Sequence, residues 1–204
     1  MQLMWIKCQN NNKIIDNLYS YDKILVKAYY IQGGFYMTKT KEQLEELTMK
    51  ILLDNDMLYK VPVDVIGIAK AYGISVYTAE FNNEISGAIR YNEKEEKFEI
   101  IVNKNNSKER QRFTIAHELG HYFLHREMLI NNDIHIDALY RTTTQTDIKI
   151  KQQEKEVDYF AGALLMNKMV VERLIESHSI EELAKIFGVS YSAMMVRLNI
   201  LGLY

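Results

Sequence analysis

Apolar residues recur every three or four positions in several stretches of the chain, which predicts amphipathic helices. Residues 41–54 and 63–71 form the first two stretches. Residues 113–124 and 154–166 form two more, and each carries histidine or acidic side chains beside its apolar stripe. Residues 180–198 predict two short helices around a glycine. Because an apolar stripe is stable when it is buried, we expect these helices to pack on one core.

Three shorter segments between the second and third helices predict β-strands. They cover residues 74–78, 85–91 and 98–102 and are rich in β-branched and aromatic residues. The charged run at residues 92–97 lies between the last two segments and predicts a hairpin. The predicted fold class is therefore α+β, with a small antiparallel or mixed sheet and a helical C-terminal part.

The third predicted helix contains the most informative motif of the chain, His-Glu-Leu-Gly-His at residues 117–121. One turn separates His117 from His121, so both imidazoles lie on one face and can reach a single zinc ion. Glu118 lies about 100° round the helix from His117, where it can act as a general base without being a ligand. Gly120 costs about 1 kcal/mol of helix propensity relative to alanine, which indicates a close approach to this backbone.

Two histidines do not complete a catalytic zinc site, which normally takes three protein ligands. The longer motif HExxHxxGxxH is excluded, because Leu124 occupies the position of its glycine and Glu127 the position of its third histidine. His125 lies about 12 Å along the helix from His117, too far to share one ion with it and His121. We interpret His125 as a residue near the helix end, with a contact to substrate as the alternative.

The predicted helix at residues 154–166 offers the third ligand. Glu154 and Asp158 lie one turn apart on one side, so Glu154 can bind the metal while Asp158 accepts a hydrogen bond from a ligating histidine. Glu156 is the competing ligand, but it points about 160° away from Asp158 round the helix. A solvated acidic face is the alternative for such a helix; beside the histidine motif, we favour Glu154 as the ligand.

The chain resembles the ImmA/IrrE family of metallopeptidases. The resemblance rests on the HELGH motif at residues 117–121, on Glu154 and Asp158 followed by Phe-Ala and Leu-Leu-Met, and on the C-terminal pattern at residues 183–203. It spans roughly residues 40 to 204 and is therefore far more specific than the HExxH motif alone.

The resemblance implies a zincin-like fold and a zinc-dependent endopeptidase of the gluzincin type. It also implies the substrate class of the family, a helix-turn-helix transcriptional repressor whose cleavage switches on genes of a mobile element or a stress response. Two positions depart from the family pattern: Val157 stands where alanine is favoured, and Asn167 where proline often follows. Neither position removes a candidate ligand.

The resulting mechanistic hypothesis assigns Glu118 as the group that takes a proton from the attacking water and delivers it to the leaving amine. A further donor to the oxyanion is expected. Candidates are His135 and Tyr140, in the polar loop predicted at residues 131–146, since loops often carry such groups. An extended substrate could pair with the strand at 85–91 or the one at 98–102.

Composition limits the other functions of the chain. The formal net charge of −2 argues against a dedicated nucleic-acid binder. The single cysteine provides no disulfide framework, and no stretch approaches the roughly 18 apolar residues of a membrane span. We therefore expect a cytoplasmic enzyme with a protein substrate and with no membrane or direct nucleic-acid partner.

Residues 1–36 have weak periodicity and lie outside the resemblance. The two glycines at 33–34 precede Met37 by a spacing that a ribosome-binding sequence and a start codon would give. We expect Met37 to be the native start, or else residues 1–36 to form a loose tail. An accessory helix that contains Trp5 is the alternative. The peptidase domain is thus predicted at residues 37–204.

The helix pair predicted at residues 180–201 raises the alternative that the chain binds DNA. Its pattern resembles a helix-turn-helix. A DNA reader needs basic side chains on the second helix, but Arg197 is the only one between Ser190 and Tyr204. We therefore expect this pair to pack within the peptidase domain. The competing hypothesis is a catalytically idle zinc-binding regulator that acts through protein or DNA binding.

Overall fold

A computed structural model describes residues 39–81, 85–131, 135–136 and 148–204 of the chain. The predictions for residues 1–36 and for Tyr140 fall outside these described residues. The described helices and strands follow one another as α1 (Lys41–Asp54), α2 (Val65–Ala71), β1 (Ser75–Ala79), β2 (Gly87–Asn92), β3 (Lys97–Asn103), α3 (Lys108–Asn131), β4 (His135–Ile136), α4 (Ile148–Leu165), α5 (Lys168–Leu174), α6 (Ile180–Phe187) and α7 (Tyr191–Leu201). Helices and strands share one core, which confirms the α+β class.

Local side-chain hydrogen bonds explain where the helices begin. Thr40 and Gln43 form a reciprocal capping box at the start of α1. Ser179 forms the same arrangement with Glu182 at the start of α6. The left-handed backbone of Gly188, with φ of 63°, ends α6 and turns the chain into α7. Among the helices of the described residues, none has the length and apolar character that a membrane span requires.

The sheet is mixed, and its strands lie in the order β1-β3-β2-β4. Strand β1 is parallel to β3, while β2 is antiparallel to both β3 and β4. The expectation that a substrate could add to residues 98–102 is wrong, because β3 is already paired on both sides. The other proposed place, the strand at residues 85–91, is only partly free for a substrate. Ala88 and Ile89 of β2 pair with β4, which lies in the stretch predicted to be a loop at residues 131–146.

Helix α3 extends beyond its predicted end near residue 126 and reaches Asn131. Its backbone departs from helical geometry at His125, with φ of −133° and ψ of 25°. The regular helix that carries the HELGH motif therefore ends at His125. This agrees with the interpretation of His125 as a residue near the helix end. Gly87 on β2 allows α3 to lie close to the sheet, since a Cβ there would collide with the Thr114 side chain.

The two C-terminal helices, α6 and α7, pack into the same core as α3 and α4. Leu183, Phe187, Met194 and Leu198 are all completely buried there. Arg197 is also buried, and its guanidinium group forms two hydrogen bonds with the carboxylate of Glu45 on α1, of 2.6 and 2.9 Å.

The pair formed by Arg197 and Glu45 has further partners. Arg197 Nε donates to the carbonyl of Met166 at 2.9 Å, and the Tyr159 hydroxyl donates to Glu45 at 2.8 Å. The single basic side chain of α7 is therefore directed into the protein. It ties α7 to α1 and to the end of α4.

We expect Glu45→Ala to lower the free energy of unfolding by about 3–5 kcal/mol, because it leaves the Arg197 charge buried without its carboxylate. Denaturant unfolding would measure the change. Glu46→Ala, at an exposed position of the same helix, is the matched control and should change stability by less than about 0.5 kcal/mol. Equal effects of the two substitutions would contradict a structural role for the buried pair.

Candidate metal centre

The close crossing of α3 and α4 builds the site. At Gly120, a Cβ would lie 2.8 Å from Val157 Cγ1 and 3.1 Å from Phe160 Cδ1. These distances leave no space for a side chain at position 120. The sequence predicted a close approach to the backbone at Gly120, and the structure shows that α4 is the element that approaches there. The crossing brings Glu154 and Asp158 of α4 opposite the two histidines of the motif.

His117, His121 and Glu154 direct their ligand atoms to one point. One ligand atom from each of the three side chains lies within 4.8 Å of the other two. The two Nε2 atoms are 3.1 Å apart, and the Glu154 oxygens lie 3.3 Å from His117 Nε2 and 3.5 Å from His121 Nε2. Both histidines are buried, and Glu154 is mostly so. The structure thus brings together the three side chains that the sequence proposed as ligands.

Asp158 orients the first histidine of this group. One of its carboxylate oxygens lies 3.0 Å from His117 Nδ1. When Nδ1 carries the proton and donates it to Asp158, Nε2 keeps its lone pair and faces Glu154 and His121.

The charges around His117 favour a cation. Burial alone lowers the pKa of the His117 imidazole, but hydrogen bonds to Asp158 and Glu154 and the charge of Glu118 raise it to about 10. The carboxylates therefore stabilise a positive charge at His117. A divalent metal ion supplies such a charge, and two imidazoles with one carboxylate are a ligand set typical of catalytic zinc. The residues present thus fit a zinc ion.

Glu118 lies beside the group but is not one of its three converging side chains. It is completely buried on α3, and its charge contributes to the raised pKa of His117. A carboxylate close to a metal site but outside its ligand set is placed to exchange protons with a reacting group.

Glu156, the competing ligand, points elsewhere. Its carboxylate accepts a hydrogen bond of 2.7 Å from the backbone N–H of Lys39, and burial raises its pKa. The structure therefore places Glu156 on a different face of α4 from Glu154, as the helical angle predicted.

We expect Glu154→Ala to weaken zinc binding far more than Glu156→Ala does, because only Glu154 reaches the histidines. Asp158→Asn should lie between them, since loss of a partner of a ligating histidine typically costs about 10–100-fold in affinity or activity. Competition with a chromogenic zinc chelator would measure the three dissociation constants. Equal losses for the two alanine variants would reopen the choice of third ligand.

The other candidates for contacts with substrate are more scattered. The ring of His125, at the break in α3, lies 6.0 Å from the ring of His121. His135 belongs to β4, where it pairs with Ile89 at the sheet edge. Tyr140 is outside the described residues. A role of any of these residues in substrate or transition-state binding stays a prediction.

Sequence reasoning missed a groove that Asp158 and Phe113, two neighbours of His117, help to line. This feature, called the apolar groove below, has a volume of about 530 Å³ and lies between the start of α3, the middle of α4 and the exposed side of α7. Its walls include Phe113, Asp158, Val196 and Ile200. The signal available in the sequence was the spacing of Ala193, Val196 and Ile200, which is equally typical of a buried stripe.

Comparisons with known proteins agree with this architecture. A family model described as the IrrE N-terminal-like domain, of a peptidase family, matches residues 69–199. The chain is 27% identical over 122 residues to Metallopeptidase ImmA of Bacillus subtilis (strain 168), a match that covers 58% of this chain and 66% of that protein.

Among solved structures, a Mycobacterium tuberculosis transcriptional regulator matches with a TM-score of 0.54 and 20% identity. That match covers 77% of this chain and 46% of the other, and at this identity it shows the fold alone. The chain thus matches just under two thirds of the curated relative's length and less than half of the solved one.

Proposed function

The chain belongs to the peptidase family defined by the IrrE N-terminal-like domain, and from this premise we propose that it is a zinc-dependent endopeptidase. The observation that carries the proposal is the convergence of His117, His121 and Glu154 at one point, with Glu118 buried beside them. Two histidines of an HExxH helix and a glutamate from a second helix form the ligand set of a gluzincin, which the family resemblance implies.

The residues of the site have separate tasks in this proposal. His117, His121 and Glu154 would hold the zinc ion, which when bound polarises a peptide carbonyl and lowers the pKa of a water molecule towards about 7. Glu118 accepts the proton of the attacking water and passes it to the leaving amine. Asp158 keeps Nε2 of His117 directed towards Glu154 and His121 through its hydrogen bond to Nδ1.

The proposed substrate is a helix-turn-helix repressor, cleaved to release genes of a mobile element or a stress response. This substrate class comes from the family resemblance. The buried position of Arg197 supports a protein substrate over direct DNA binding. Arg197 is the one basic residue of α7, and because it is buried, the surface of this helix offers no basic side chain to a DNA phosphate.

We expect the zinc-loaded protein to cut the repressor encoded beside its own gene, and a strong chelator to stop the cleavage until zinc is restored. The physical reason is that His117, His121 and Glu154 cannot polarise a carbonyl without the ion. Mass spectrometry of the fragments would identify the cut. An intact repressor with fully zinc-loaded protein, or cleavage that a chelator does not affect, would contradict the proposal.

A further inference from the structure

The apolar groove adjoins the candidate metal centre through two of its lining side chains. Asp158, which holds His117 by a hydrogen bond of 3.0 Å, forms part of its wall. Phe113 forms another part, and its ring lies 6.4 Å from the ring of His117. The groove therefore reaches the surroundings of His117, although His117, His121 and Glu154 themselves do not line it.

Helix α7 presents apolar side chains to this groove instead of burying them. Ala193, Val196 and Ile200 are three and four residues apart and thus share one face of the helix. Val196 is 59% exposed and Ile200 is 39% exposed. An exposed apolar face that lines a concave surface of this size is typical of a binding site.

The charges around the groove nearly balance. Arg110 and Lys155 line it, and neither forms an ion pair with another of the described residues. The Arg110 guanidinium hydrogen-bonds to the neutral Ser86 hydroxyl. Glu109 adds one exposed carboxylate at the edge. Asp158, which also lines the groove, adds a second carboxylate. Two cations thus face two carboxylates, and the apolar part of the wall is left to select what binds.

From these observations we propose that the apolar groove binds a large apolar side chain of the substrate next to the scissile bond, and that Val196 of α7 determines this preference. The inference rests on the proposed function. It assigns the second helix of the C-terminal pair to substrate selection, so that its exposed face contacts protein and not DNA.

Two peptide hydroxamates that differ in one side chain would test the inference. The hydroxamate group binds zinc, and the neighbouring side chain is either isobutyl or methyl. Isothermal titration of the zinc-loaded full chain should give at least about tenfold tighter binding for the isobutyl compound, since each buried methylene contributes about fourfold. Equal binding of the two compounds would overturn the proposal that the groove binds an apolar side chain. It would leave the proposed zinc site untouched.

Val196→Lys should reduce the preference for the isobutyl compound to less than about threefold, because a charge replaces apolar wall. Asn199→Lys is the matched control: it adds the same charge at an exposed position of α7 outside the groove and should keep the full preference. An unchanged preference in Val196→Lys would overturn the assignment. If neither hydroxamate binds a protein that metal analysis shows to contain zinc, the proposed function itself fails.

Discussion

Replacing Glu118 with glutamine is expected to lower the rate of repressor cleavage by about 10²- to 10⁴-fold while leaving close to one zinc ion per chain. The amide cannot accept a proton from water, and general base catalysis typically contributes a factor of this size. The zinc should stay because His117, His121 and Glu154 remain unchanged. Single-turnover cleavage and metal analysis of the same preparation would measure both quantities.

Glu127→Gln is the matched control for this experiment. Glu127 lies on the same helix but is exposed, so its loss should change neither zinc content nor rate. Loss of zinc from Glu118→Gln would mean that Glu118 is a ligand and would refute its role as the base. Full zinc with an unchanged cleavage rate would also refute Glu118 as the base. Full zinc with no cleavage by either the variant or the unchanged protein would instead support a zinc protein that acts by binding.

Removing the chain after Ser177 is expected to unfold the protein or abolish zinc binding. Leu183, Phe187, Met194 and Leu198 are completely buried, and each large side chain contributes about 1.5–3 kcal/mol. Their sum is comparable to the whole free energy of unfolding of a typical domain, about 5–15 kcal/mol. Circular dichroism and metal analysis of the truncated protein would test this.

The deletion also removes two sets of polar contacts. Glu45 loses Arg197, and Arg112 loses the backbone carbonyl of Gly188, to which its Nε donates at 3.1 Å. A soluble, active truncation would show that the helix pair formed by α6 and α7 is an appendage.

Electrophoretic mobility shifts of the full chain with promoter DNA should show no specific binding. Specific, salt-sensitive binding would support the regulator hypothesis.

Periodicity in the sequence was enough to predict the two helices of the site. The HELGH motif depends only on angles round α3, and the choice of Glu154 over Glu156 only on angles round α4. Periodicity could not predict the order of the strands in the sheet. Nothing in residues 98–102 distinguishes a central strand from an edge strand, and the central position of β3 excluded one of the two proposed places for the substrate. Pairing across a sheet depends on contacts that are distant in sequence.

The C-terminal pair shows the same limit. Counting charges in the sequence was enough to show that Arg197 is the single basic residue of α7. It could not predict that Arg197 is paired with Glu45, since the two residues are 152 positions apart. Nor could spacing alone reveal that Val196 and Ile200 stay exposed. Whether an apolar stripe is buried is decided by what packs against it.

The crossing at Gly120 links folding to metal supply. The two histidines come from one helix and Glu154 from another, so the complete ligand set exists only when these helices are docked. Zinc that binds the docked state but not the unfolded chain stabilises it by an amount that grows with the logarithm of the free zinc concentration. On the proposed function, the lifetime of this protein in a cell would follow the zinc that the cell makes available. Starvation for the metal would then remove the protein as well as stop its proposed activity.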